Sequence, residues 1–164
     1  MKILNHKQIT QKIKRLSIEI LEQNYDAKEI VLAGINQNGW SFSKLLYADL
    51  SELTQIPISL TRIKVNSANP LAEPVALELN TKEVNGKTII VVDDVANTGR
   101  TLFYAFQPLT HALPGKIQVA VLIDRTHKTF PIQVDFCGLS LATTLREHIQ
   151  VNLTDTEDFE AFLS

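Results

Sequence analysis

The run from Lys87 to Thr101, Lys-Thr-Ile-Ile-Val-Val-Asp-Asp-Val-Ala-Asn-Thr-Gly-Arg-Thr, constrains this chain more than any other stretch. Ile89 to Val92 is continuously apolar, which suits a parallel strand covered on both faces. Two carboxylates, Asp93 and Asp94, stand where that strand should end. Thr98, Gly99 and Thr101 follow in a short loop, and Leu102, Phe106, Leu109 and Leu113 then recur at helical spacing. The order is strand, acids, loop, helix.

That order has a chemical meaning. The N-terminus of a helix offers unpaired backbone N–H groups and partial positive charge, so it readily holds a phosphate. Gly99 lets the backbone come close to an anion, and the hydroxyls of Thr98 and Thr101 add donors. Carboxylates accept hydrogen bonds and bind hard cations, so Asp93 and Asp94 suit a sugar diol or Mg²⁺ better than the phosphate itself. A phosphate at one end and two acids at the other fit a phosphorylated ribose. The plain alternative is a buried strand with an acidic cap, common in α/β proteins, and the spacing of Thr-Gly-x-Thr argues against it.

Four apolar residues, two acids, a short variable stretch and Thr-Gly-x-Thr resemble the signature with which type I phosphoribosyltransferases bind phosphoribosyl pyrophosphate. A second stretch, Val121 to Ile132, reads Val-Leu-Ile-Asp-Arg-x-His-Lys-x-x-Pro-Ile and is similar to the pyrimidine operon regulator and uracil phosphoribosyltransferase group. The resemblance implies an α/β fold, a mostly parallel twisted sheet flanked by helices, in one domain over residues 1–164. A small hood is expected from the C-terminal segment at about 137–152. Val95, Ala96, Asn97, Thr98, Gly99, Arg100 and Thr101 would hold the 5′-phosphate. Asp93 and Asp94 would hold the ribose hydroxyls and Mg²⁺, which bridges them to the leaving pyrophosphate. Arg125 would reach pyrophosphate or base.

The rest of the chain alternates helix and strand signals. Ile9, Ile13, Leu16 and Ile20 make an apolar stripe, predicting a helix over about 6–24. A buried strand is expected at 29–35, a tight loop at 36–39 and a helix at 40–53. A strand at 56–65 follows, nearer an edge because Pro57 interrupts its start. Short strands are expected at 75–79 and 132–136, a full one at 117–123, and a helical turn at 158–163. Such alternation implies a mostly parallel sheet whose ligands gather beyond the carboxyl ends of its strands.

Three other segments carry weaker chemistry. Gly34 and Gly39 frame a loop in the place of the family's pyrophosphate loop, where relatives usually carry Lys or Arg. Here the positions are Asn36, Gln37 and Asn38, closed by Gly39, so the amides bring hydrogen bonds without charge. Asn66 to Pro74 corresponds to the flexible loop that closes over the reacting centre, or is a solvated connector. In the hood, Gly138 to Glu147 lies where relatives read the base. Asn97 stands where six-oxopurine enzymes of the family usually have an aspartate that handles the purine proton, and an amide cannot do that. This favours a pyrimidine-like base such as uracil.

Composition narrows the partners. A net charge of −2 gives no electrostatic footprint for nucleic acid or an anionic membrane. The single Cys137 excludes an internal disulfide and suits a reducing compartment. With no apolar signal region or membrane-length run, a cytoplasmic protein is expected. The expected activity is pentosyl transfer from phosphoribosyl pyrophosphate to a nucleobase by a homodimer. The second expectation, from the uncharged loop, is a nucleotide-sensing relative that binds a ribonucleotide and regulates.

Overall fold

In the computed structural model the described residues are all except Leu145, Asp155 and Thr156. Leu145 belongs to the expected hood, so that part of the expectation lies outside the described residues. The chain opens with β1 (Lys2–Leu4) and α1 (His6–Gln23), then β2 (Ile30–Ile35), α2 (Asn36–Leu53), β3 (Ile58–Lys64) and β4 (Ala76–Leu77). After a 3₁₀ turn come β5 (Thr88–Ala96), α3 (Arg100–Ala105), a second 3₁₀ turn, β6 (Lys116–Arg125), β7 (Phe136–Leu141), β8 (Ile149–Asn152) and β9 (Glu160–Leu163). The main sheet has the order β4-β3-β2-β5-β6-β7, parallel throughout except for the antiparallel edge strand β4.

Alternation along the strands builds two cores. Ile30, Leu32, Ile90 and Val92 face α1 and α2, where they meet Ile13, Leu16, Phe42 and Leu46. Val31, Ala33, Ile89 and Val91 face the opposite way, toward Leu102, Ala105 and Leu109. With both faces covered, the central strands read as unbroken apolar runs. The first helix is fixed by a capping box, in which Asn5 Oδ1 accepts from Gln8 N–H and Gln8 Oε1 accepts from Asn5 N–H, both at 2.9 Å.

The connections reverse between β2 and β5: the chain leaves β2 for β3 on one side and returns to β5 on the other. A crevice opens beyond the carboxyl ends at such a reversal, and it is where ligands sit in open α/β sheets. A second, three-stranded antiparallel sheet of order β1-β9-β8 joins the two ends of the chain. Its strand β8 brings Ile149 to the wall of the crevice.

Several local expectations change. The helix after Thr101 ends at Ala105 because Pro108 lacks the N–H that would bond back to residue 104 and restricts Gln107 before it. Leu113, expected on its inner face, is 81% exposed. The expected loop at 36–39 is instead the first turn of α2. The strand expected at 132–136 lies at 136–141, where Gly138 approaches so closely that an added Cβ would sit 2.7 Å from the Leu122 carbonyl oxygen. In place of the helical turn expected at 158–163, Glu160–Leu163 forms a strand, since β9 finds partners on both sides in β1 and β8. Of the segment 137–152, residues 137–141 therefore belong to the main sheet and 149–152 to the small one.

Phe42 is fully buried between α2 and the sheet. Phe42→Ala should cost about 3–5 kcal/mol, read as a lower urea midpoint at unchanged slope.

Candidate active site

β5 delivers the acids and the loop expected to bind phosphate to the crevice. At its end Gly99 adopts φ 87°, ψ 0° and caps α3. A Cβ there would meet Ile132 Cγ1 at 2.6 Å, so both the backbone angle and the neighbour demand glycine. The Thr98 carbonyl accepts from the amides of Thr129 and Phe130 at 3.0 and 3.2 Å, which braces the loop from behind. On the open side, the backbone N–H groups of Thr98, Gly99 and Thr101 donate to none of the chain's carbonyls among the described residues. Arg100 N–H reaches only Thr98 Oγ1, at 3.3 Å. With the Val95, Ala96 and Asn97 backbone, these groups line a small concavity that also touches Asp93. Converging amide donors of this kind fit a phosphate.

The concavity opens into a cleft of about 450 Å³, walled by Asn36, Gln37 and Asn38 on one side and Asp93 and Asp94 on the other. Asp93 accepts from the Asp94 amide and Asp94 Oδ1 from the Val95 amide, both at 2.9 Å. Asp94 Oδ2 accepts from Asn38 Nδ2 at 3.0 Å. Neither carboxylate has an ion-pair partner among the described residues. Burial, and next the charge of Asp94, push the Asp93 carboxyl well above the ordinary carboxylate range. Two neighbouring acids with hard oxygen donors and no cation of their own fit Mg²⁺ or a ribose diol.

The expected pyrophosphate-loop residues are largely spent on the protein itself. Asn36 sits in the left-handed region at φ 51°. Its amide exchanges two hydrogen bonds of 2.9 Å with the Val65 backbone, and Nδ2 lies 3.4 Å from Ser67 Oγ. Gln37 Nε2 reaches Ser41 Oγ at 3.5 Å, and Asn38 holds Asp94. Gly39 lies so close to β5 that a Cβ would stand 2.5 Å from the Val92 carbonyl oxygen.

Two arginines do other work than expected. Arg125 donates Nε to Thr143 Oγ1 at 2.6 Å, Nη1 to Asn97 Oδ1 at 3.2 Å and Nη2 to the Thr144 carbonyl at 2.8 Å. It therefore straps the end of β6 to the phosphate loop and to the approach of the small sheet, and it lines neither the concavity nor the cleft. Asp124 pairs with Lys128 rather than with Arg125, and His127 is exposed. Arg100 lines the concavity and donates Nη2 to the Ser67 and Ala68 carbonyls at 2.9 and 2.8 Å, fastening the 66–74 loop. Sequence reasoning missed Ile149, which no local pattern marks because it arrives on β8 from a distant segment of the chain; Ser67 and Ile132 lie in the 66–74 loop and the Val121 to Ile132 stretch singled out above.

A sequence profile of the phosphoribosyl transferase domain matches residues 1–155. The bifunctional protein PyrR of Streptococcus sanguinis is 32% identical over 150 residues, covering 88% of this chain and 86% of that protein. The PyrR of Chloroflexus aurantiacus is 34% identical over 165 residues, covering 94% and 89%. Among solved structures, a mutant hypoxanthine phosphoribosyltransferase from Trypanosoma cruzi, complexed with the product IMP, shares the fold at a TM-score of 0.75. It is 19% identical, covering 87% of this chain and 72% of that one. A hypoxanthine-guanine phosphoribosyltransferase from Bacillus anthracis matches at 0.72 with 20% identity, covering 91% and 84%.

The Asp93 carboxyl has a consequence for stability. Its folded value lies above the unfolded one, so stability falls as pH rises from about 4 toward the raised value. Asp93→Asn removes that penalty while its side-chain oxygen can still accept from the Asp94 amide. Its melting temperature should exceed the wild type's at pH 7, and calorimetry should show the gap closing toward pH 4. Asp49, which burial also shifts upward, is present in both proteins and cancels in the comparison.

Proposed function

Because this chain belongs to the type I phosphoribosyltransferase family, we propose that it transfers ribose 5-phosphate from phosphoribosyl pyrophosphate to a ring nitrogen of a nucleobase, with uracil the first candidate. The bond from the anomeric carbon to the pyrophosphate oxygen breaks, the bond to the ring nitrogen forms, and the nitrogen gives up its proton. The observation that carries the reading is the open row of amides at Thr98, Gly99 and Thr101 beside the unpaired Asp93 and Asp94. The amides and hydroxyls bind the 5′-phosphate, and the carboxylates orient the ribose hydroxyls. Positive charge develops on the sugar in the transition state, so acids fixed beside the ring stabilise it without covalent chemistry. Asp93 and Asp94 would hold Mg²⁺, which when bound would supply charge neutralisation for the departing pyrophosphate.

The other elements position these groups. Asn38 holds Asp94 in place, and Arg125 holds Asn97 and, with it, the phosphate loop. Arg100 keeps the 66–74 loop near the cleft, where it excludes water from the reacting centre. The reading includes a cytoplasmic homodimer. At a net charge of −2 it gives nucleic acid no part.

A second reading rests on a specific observation. The loop at 36–39 carries no cation, and its three amides are engaged within the protein. A site with little hold on pyrophosphate suits a regulator that senses a nucleoside monophosphate.

One set of assays separates the two. With phosphoribosyl pyrophosphate and Mg²⁺, pyrophosphate release is followed across uracil, orotate and purines. Asp94→Asn should lower turnover by about a hundredfold or more with an unchanged circular dichroism spectrum. Full activity in that variant refutes the site. Tight binding of a nucleoside monophosphate without pyrophosphate release from any base selects the sensor.

A further inference from the structure

Outside the reaction cleft, a separate cleft of about 420 Å³ lies along the sheet edge, lined by Arg62 and Lys64 of β3, Ala76, Leu77 and Glu78, with Asn36 and Gln37. Arg62 and Lys64 stand two residues apart on one face of β3, roughly 7 Å along the strand. Neither has an ion-pair partner among the described residues. The Arg62 guanidinium is stacked over the ring of Trp40, its carbon 4.7 Å from the centroid, which fixes its plane. Its Nε is fully enclosed and has no hydrogen-bond partner among the described residues. Lys44 adds a third cation on the same ring, at 5.9 Å. In a chain of net charge −2 this is a local concentration of positive charge.

We propose that this cleft is a second anion site, taking a diphosphate or triphosphate group. Two cations at this spacing match two linked phosphates, and guanidinium groups held flat favour phosphate oxygens. Glu78 also lines the cleft and offsets part of the positive charge; the net attraction left by Arg62 and Lys64 scales with the ligand's charge, so a multiply charged anion gains more than a singly charged one. Ala76 and Leu77 give an apolar wall on which the nucleoside of a nucleotide can lie. The ligand's source is therefore inorganic pyrophosphate or a nucleotide. Asn36 and Gln37 form the partition from the reaction cleft, since both line each space. The site stands independently of the transfer reaction.

Trp40 is the chain's only tryptophan and lies under Arg62, so its fluorescence reports on this cleft. Titration with inorganic pyrophosphate should give a saturable change in emission. Lys64→Gln, at an exposed residue, should weaken the apparent affinity about tenfold, and adding Arg62→Gln should weaken it further. Thr101→Ala, in the phosphate concavity, should impair ribose 5-phosphate binding yet keep this response. A nucleoside triphosphate binding more tightly than pyrophosphate identifies a nucleotide source, and equal affinity identifies the phosphates alone. Four results overturn the proposal: no saturable change, a response untouched by Lys64→Gln, a response lost in Thr101→Ala, or equal affinity for inorganic monophosphate.

Discussion

The rim of this protein depends on how closely the first turn of α2 lies against β5. That approach is possible because Gly39 and Gly34 present no side chains. A Cβ on Gly39 would intrude on the Val92 carbonyl, and one on Gly34 would stand 2.7 Å from the Gly39 carbonyl and from Ser43 Oγ. The contact places Asn38 against Asp94 and Asn36 against the end of β3. Two neighbouring parallel strands thereby share one ligand-sized space between their loops. With bulkier residues at either glycine, the helix would lift and the acids would face open solvent.

The same region stores unfavourable electrostatics. Asp93 and Asp94 adjoin each other without a cation, and backbone amides offset only part of the cost. A structural site would have paired such groups, as Glu29 is paired with Lys87 at 3.0 Å elsewhere on the surface. Beside them, Thr98, Gly99 and Thr101 leave their amides without carbonyl partners among the described residues. Unpaired acids next to unpaired donors form a polarised surface whose two ends demand opposite charges. A sugar phosphate supplies a diol at one end and an anion at the other.

Most polar residues that look chemical in the sequence turn out to be struts. Arg125 spends all three guanidinium nitrogens on Thr143, Asn97 and Thr144. Arg100 spends its own on two carbonyls of the 66–74 loop. These ties join the loop at 97–100 to the 66–74 loop and to the approach of the small sheet, so the separate loops of the rim form one connected frame. The identity of a side chain gave no warning of this, because a guanidinium suits a phosphate and a backbone carbonyl equally well.

The strand-acid-loop-helix order was legible in the residues from Ile89 to Thr101, since apolar continuity, adjacent acids and Thr-Gly-x-Thr are all local features. Local signals also marked α1, through its apolar stripe, and the buried runs of β2, β5 and β6. The small sheet was not legible: β1 and β9 are short, weakly patterned and stabilised by each other across the length of the chain. The early end of α3 was written in Pro108, whose effect outweighs the apolar spacing around it. Sequence by itself determined the strand, the paired acids and the Thr-Gly-x-Thr turn, because their pattern is carried by residues a few positions apart. Only the tertiary structure decided which neighbours those groups meet, because Asn38, Ile132 and Ile149 reach them through sheet pairing and packing, over separations that no local pattern encodes.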